Sequence, residues 1–100
     1  MAARRRVVLL PEARDVLRRL PPATKRKERA ALDALQSDPA LGEPLHRELT
    51  GRFRVRVGSL RIVYRVAARD IVVSAIGSRR TIYLDLEREA RAEGRDAAEG

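Results

Sequence analysis

Residues 51–66 read GRFRVRVGSLRIVYRV. Two runs of alternating β-formers flank Gly58 and Ser59, a pair suited to a two-residue hairpin turn with glycine first. The pattern predicts strands over 52–57 and 60–66. With that turn, Val57 faces Leu60, Arg56 faces Arg61, Val55 faces Ile62, Arg54 faces Val63, Phe53 faces Tyr64 and Arg52 faces Arg65. Opposed residues share a face, and the face alternates along each strand. One face then carries Phe53, Val55, Val57, Leu60, Ile62 and Tyr64, and reads as core. The other carries Arg52, Arg54, Arg56, Arg61 and Arg65 around Val63.

Like charges directly across a strand pair destabilise it. Basic residues on an exposed face can serve simply to blunt edge pairing, but a solvated face ordinarily mixes signs. No acid occurs between Thr50 and Arg69. The arginine face therefore points to an anionic partner.

Downstream, residues 71–77 read as a third strand after a turn at 67–70. Paired in unbroken register, it adds Ile71, Val73 and Ala75 to the core face and places Val72, Ser74 and Ile76 beside the arginines. The segment GSRRTIY then adds Arg79, Arg80 and Tyr83. A guanidinium forks onto phosphate oxygens and a tyrosine ring can stack on a base. Arginines with an aromatic on a sheet suit single-stranded RNA better than a duplex, whose bases are hidden. Residues 84–93 read as a last helix, and Gly94 to Gly100 as a frayed polar tail.

Upstream, residues 5–10 read as a short strand stopped by Pro11. Ala13, Val16, Leu17 and Leu20 follow at helical spacing, with Pro11 and Glu12 suited to a first turn. Pro21 and Pro22 break that helix, and a second runs over about 22–36. Its apolar face is Ala31, Leu32 and Leu35, and Glu28 interrupts the stripe one turn earlier. Its front half, TKRKER, is basic; Lys25, Arg26 and Lys27 are candidate RNA contacts. Residues 37–50 hold two prolines and a glycine and read as a loop with room for one turn of structure. The order β-α-α-β-β-β-(α) indicates an α+β fold: an antiparallel meander plus the N-terminal strand, packed by a helical hairpin.

The totals fit this reading. One hundred residues suit one small domain, assigned to 1–93. Formal net charge is +8, from 22 basic and 14 acidic residues, which nucleic acid, an acidic protein or an anionic membrane surface could each answer. With no cysteine there is no disulfide, thiolate metal site or cysteine nucleophile. The apolar run VVLL after the basic start is too short for a signal sequence or membrane span, so the expectation is a soluble, cytoplasmic protein. The single histidine, His46, lies in the loop and reads as a surface residue.

The segments ELTGRFRVRVGSLRIVYRV and VVSAIGSRRTIY, with the order β-α-α-β-β-β, resemble the RelE/ParE superfamily of bacterial toxins. The resemblance covers about residues 3–86 and is most specific over 49–83. Within it the chain looks like the RelE branch. That resemblance implies a ribosome-dependent mRNA interferase that cuts A-site codons by 2′-hydroxyl attack on phosphate, with no metal and no cofactor. By the same resemblance the catalytic places fall on Arg54, Arg56, Arg61, Arg79 and Tyr83. Arg61 and Arg79 would stabilise charge on the phosphate, Arg54 and Arg56 would hold the backbone and polarise reacting groups, and Tyr83 would orient a base. Arg52, Arg65, Arg80, Lys25, Arg26 and Lys27 would contact RNA.

Two positions depart from the pattern. Arg54 and Arg56 stand where several relatives have lysine, and Ser78 where some have histidine. Arginine almost never releases its proton, so no general base is visible. The implied partners are a RelB-like antitoxin, the ribosome and mRNA, with no membrane. The antitoxin would cover the arginine face or displace the last helix. The acid-rich stretch from Asp85 to Glu99 is a candidate internal shield for the same face. Two other readings stand: a ParE-like inhibitor of DNA gyrase, and a nucleic-acid-binding relic without catalysis.

Overall fold

Pro11 sets the first turn of the chain's architecture, and the computed structural model, which describes residues 4–82 and Leu86, shows how. β1 (Arg6–Leu9) ends before the proline, which opens α1 (Pro11–Arg19) at a position that needs no N–H. Glu12 near the start of α1 and Arg18 and Arg19 near its end complement the helix dipole. Pro22 opens α2 (Pro22–Ser37) in the same way. Then come β2 (Glu43–Pro44), β3 (Arg52–Val57), β4 (Leu60–Val66) and β5 (Asp70–Gly77). Single 3₁₀ turns at Pro39–Leu41 and Arg47–Leu49 flank β2. The five strands form one sheet in the order β1-β5-β4-β3-β2, with β1 parallel to β5 and the other pairs antiparallel.

The α+β fold and the hairpin register are as the sequence predicts. All six β3–β4 pairs match, and Gly58 turns the hairpin with a φ of 62°, a conformation that glycine adopts without penalty. The helical hairpin lies on one face of the sheet. Ala13, Leu17, Leu32 and Leu35 pack there on Ile62, Tyr64, Ile71, Val73 and Ile76. Burying one such aliphatic side chain contributes about 1.5–3 kcal/mol.

Three expectations need correction. The 37–50 segment is not simply a loop, because Glu43 and Pro44 pair with Arg54 and Phe53. The β4–β5 ladder is not continuous: Val63 pairs with Ala75 but Tyr64 pairs with Val73, so Ser74 is an extra residue. Such a bulge reverses the facing of every residue beyond it. Ile71 and Val73 reach the core as predicted. Past Ser74, Ile76 turns into the core and Ala75 joins the arginine face, the reverse of the expected placement. Finally, the terminal helix begins earlier than residue 84, since residues 79–82 are already helical, as is Leu86. Tyr83, Asp85, the remainder of the predicted 84–93 helix and the 94–100 tail lie outside the described residues.

Candidate nucleic-acid site on the arginine face

The strand register sorts the arginine face into three rows. Nearest the hairpin turn, Arg56 pairs with Arg61, and Arg61 with Gly77. In the middle, Glu43 pairs with Arg54, Arg54 with Val63, and Val63 with Ala75. At the far end, Arg52 pairs with Arg65, and Arg65 with Val72.

The middle row is capped. Val63 and Ala75 are buried with Ile82 and Leu86, and Leu45 and Leu49 pack against them. The face is therefore not an open plane of solvated arginines. A small second core divides it, leaving Arg56 and Arg61 on one side and Arg52 and Arg65 on the other. Arg61 is 8% exposed and Arg52 is 7% exposed, whereas Arg56 is exposed.

The Nε atoms of Arg61 and Arg65 are buried with no hydrogen-bond partner among the described residues. A buried donor left unpaired costs about 1–3 kcal/mol, and more when charged. Among the described residues nothing offsets that cost at either Nε. Beside Arg61, the absence of a side chain on Gly77 lets the chain turn sharply into the terminal helix. A Cβ at Gly77 would stand 2.9 Å from Thr81 Oγ1. The backbone N–H groups of Thr81 and Ile82 donate to the Ser78 carbonyl at 3.2 and 3.1 Å. Arg79 and Arg80 thus sit, exposed, in a first helical turn two residues past the row of Arg61. Cations there oppose the helix dipole, so fold stability is not what places them.

One functional candidate escaped the sequence reading. Glu43 lies on the arginine face opposite Arg54, and Arg54 Nη2 donates to Glu43 Oε2 at 3.0 Å. Leu41, Glu43, Arg54, Val55 and Arg56 line a cleft of about 330 Å³ at this edge of the sheet. The segment carrying Glu43 is pinned by Tyr64, whose hydroxyl accepts from Gly42 N–H at 2.9 Å and donates to the Pro39 carbonyl at 2.7 Å. Burial pushes the Tyr64 phenol pKa up, so it remains a proton donor at neutral pH.

The predicted site residues therefore fall into groups. Arg54, Arg56 and Arg61 occupy neighbouring rows, and the chain leaves the sheet toward Arg79 and Arg80 opposite Arg61. Arg52 and Arg65 lie beyond the second core. Lys25, Arg26 and Lys27 belong to α2, which packs on the other face of the sheet, and Lys25 Nζ donates to the Arg18 carbonyl at 2.8 Å. His46 is exposed ahead of a 3₁₀ turn. Among the described residues no helix is long and apolar enough to cross a membrane.

The model of the ParE toxin family of type II toxin–antitoxin systems, parDE, matches residues 7–83. Solved structures agree on the fold. A chain of the RelBE2 toxin–antitoxin complex of Mycobacterium tuberculosis is 31% identical, with a TM-score of 0.69, over 77% of this chain and 100% of that one. The archaeal RelE–RelB complex from Pyrococcus horikoshii OT3 gives 25% identity and a TM-score of 0.63, covering 75% of this chain and 94% of that one. The YoeB dimer of Staphylococcus aureus gives 23% identity and a TM-score of 0.66, covering 77% and 99%. No curated protein sequence matches significantly. A sheet with its helical hairpin on one face and an arginine cluster on the other is the frame of a small toxin from a type II toxin–antitoxin system. The chain belongs to the RelE/ParE superfamily of such toxins.

Proposed function

We propose that this toxin is a RelE-type endoribonuclease: one domain over residues 1–93 that enters the ribosomal A site and cuts the codon there, halting translation. The observation that carries the reading is Arg61, a buried arginine whose Nε has no acceptor among the described residues, flanked by Arg56 and one row from the Glu43–Arg54 pair. That combination suits a phosphodiester with an adjacent hydroxyl. The 2′-oxygen attacks phosphorus, the bond to the 5′-oxygen breaks, the departing 5′-oxygen takes a proton from water, and a 2′,3′-cyclic phosphate and a 5′-hydroxyl end result. Arg61 and Arg79 stabilise charge growing on the nonbridging oxygens. Arg56 holds the backbone. Glu43 takes the 2′-hydroxyl proton, and Arg54 orients its carboxylate. Tyr83 stacks on a base, while Arg52, Arg65, Arg80, Lys25, Arg26 and Lys27 contact RNA. Needing a 2′-hydroxyl, the site acts on RNA and not DNA. The residues in these roles require no metal or cofactor.

The toxin's partners on this reading are a RelB-like antitoxin, the ribosome and mRNA, all met in the cytoplasm. The relatives of known structure include toxin–antitoxin complexes, which supports the first. The test is purified toxin in a cell-free translation reaction, with and without ribosomes, and mapping of new mRNA 5′ ends. The matching family model is named for ParE, and that favours one second reading, inhibition of DNA gyrase. Loss of gyrase supercoiling in vitro with mRNA left intact would select it. Salt-dependent RNA binding with neither effect would select a non-catalytic binder.

A further inference from the structure

β2 is too short to hold itself. It has two residues, and one of them, Pro44, has no N–H to give to the ladder. Yet Glu43 stands at a fixed place across from Arg54. Beyond Pro44 the Leu45 N–H donates to the Arg52 carbonyl at 2.8 Å, and the side before Glu43 has its own anchor. Tyr64 is fully buried on β4, stacked on Phe53 at a centroid distance of 5.5 Å. Its hydroxyl reaches past β3 and uses both its donor and its acceptor on residues 39–42. A phenylalanine would fill the same core space and make neither bond. Burying a hydroxyl is costly unless it is bonded, so the tyrosine here has a purpose beyond packing. Gly42 completes the arrangement. A Cβ there would meet Tyr64 Oη at 2.7 Å and the Arg54 carbonyl oxygen at 3.0 Å, so only glycine permits the approach. One peptide unit separates the Gly42 N–H from Glu43.

We propose that Tyr64 is a positioning residue whose hydroxyl clamps residues 39–42 to the edge of β3 and thereby holds the Glu43 carboxylate against Arg54. Its effect on cleavage rests on the role given to Glu43 above, but the clamp itself is a property of the free protein. Loss of the hydroxyl frees the segment while the ring still fills the core. The reacting carboxylate is then present but misplaced, a defect of turnover rather than of RNA binding.

The experiment uses Tyr64→Phe, Glu43→Gln, the double variant and Gly42→Ala. Gly42→Ala disturbs the same clamp by crowding the tyrosine hydroxyl while leaving it in place. Two measurements are made. Side-chain ¹⁵N NMR of Arg54 in the free toxin reports hindered rotation of the guanidinium in the Glu43 pair. Tyr64→Phe and Gly42→Ala should each shift that signal in the same direction as Glu43→Gln. Ribosome-dependent cleavage should show kcat lower by about ten- to a hundredfold in Tyr64→Phe, with KM within about twofold. In the Glu43→Gln background, Tyr64→Phe should add no further loss. An Arg54 signal unchanged in Tyr64→Phe overturns the clamp, as does a full additional loss in the double variant. If the wild-type protein cuts no RNA, the role of Glu43 in cleavage fails. The Arg54 signal alone then decides whether Tyr64 holds the pair.

Discussion

Glu43 and Arg54 face each other across β2 and β3, with 3.0 Å between Oε2 and Nη2, on the face that carries the other sheet arginines. The carboxylate is exposed and the guanidinium largely covered. An exposed ion pair of this kind contributes little stability, about 0–1 kcal/mol. On the proposed endoribonuclease reading, its place beside a cleft and one row from Arg61 gives it a chemical role instead. Glu43→Gln should leave the melting temperature and ribosome affinity nearly unchanged and lower the cleavage rate by about 10²- to 10⁴-fold. Single-turnover kinetics with a defined codon in the A site checks this.

Arg61 should show a conflict between stability and activity. Its buried Nε lacks an acceptor among the described residues. Arg61→Met keeps the stem and removes the unpaired donor. Thermal unfolding should show this variant at least as stable as wild type, by about 1 kcal/mol in its favour. Cleavage should fall by about 10²-fold or more. A large loss of stability would mean that Arg61 serves the fold.

Glu28 should make the toxin's stability depend on pH. It is fully buried on α2, and neither carboxylate oxygen has a hydrogen-bond partner among the described residues. Desolvation pushes its pKa from 4.5 to about 7. The folded protein therefore binds a proton that the unfolded chain has already released between these values. Stability is unaffected by Glu28 below about pH 4.5, falls as pH rises toward 7, and stays reduced above it. The loss is at most about 3 kcal/mol. Glu28→Leu should flatten melting temperature against pH across this window and raise it above pH 7.

Gly77 governs how the chain leaves β5. Gly77→Ala brings a Cβ to 2.9 Å from Thr81 Oγ1, so the Thr81 side chain must leave its place beside Ser78 or the first turn of the terminal helix must shift, and Arg79 with it. Cleavage should fall in Gly77→Ala and recover in part when Thr81→Ala removes the obstructing hydroxyl. Kinetics on the two single variants and the double variant measures that recovery.

How far the sequence could be read depended on the length of each signal. The hairpin over Arg52 to Val66 could be paired residue by residue because alternation and a glycine-first turn agree over many positions. Beyond Tyr64 the facing of β5 hangs on one extra residue. Nothing in VVSAIG marks Ser74 as a bulge, so Ala75 and Ile76 were each expected on the wrong face. β2 was missed because two residues carry no periodicity, and Glu43 was missed with it. Tyr64 was readable as core, but the partners of its hydroxyl come from 22 and 25 residues away and leave no local trace. The arginine cluster itself was visible from strand parity. Its division by Val63, Ala75, Ile82 and Leu86 was not, because that depends on where the terminal helix lands.

The most direct measurement maps mRNA 5′ ends in a cell-free translation reaction given wild-type toxin, Glu43→Gln or Arg61→Met. Ribosome-dependent cuts inside the A-site codon, present with wild type and strongly reduced in both variants, are the predicted result. Intact mRNA with wild-type toxin, or cutting that neither variant affects, would contradict the account.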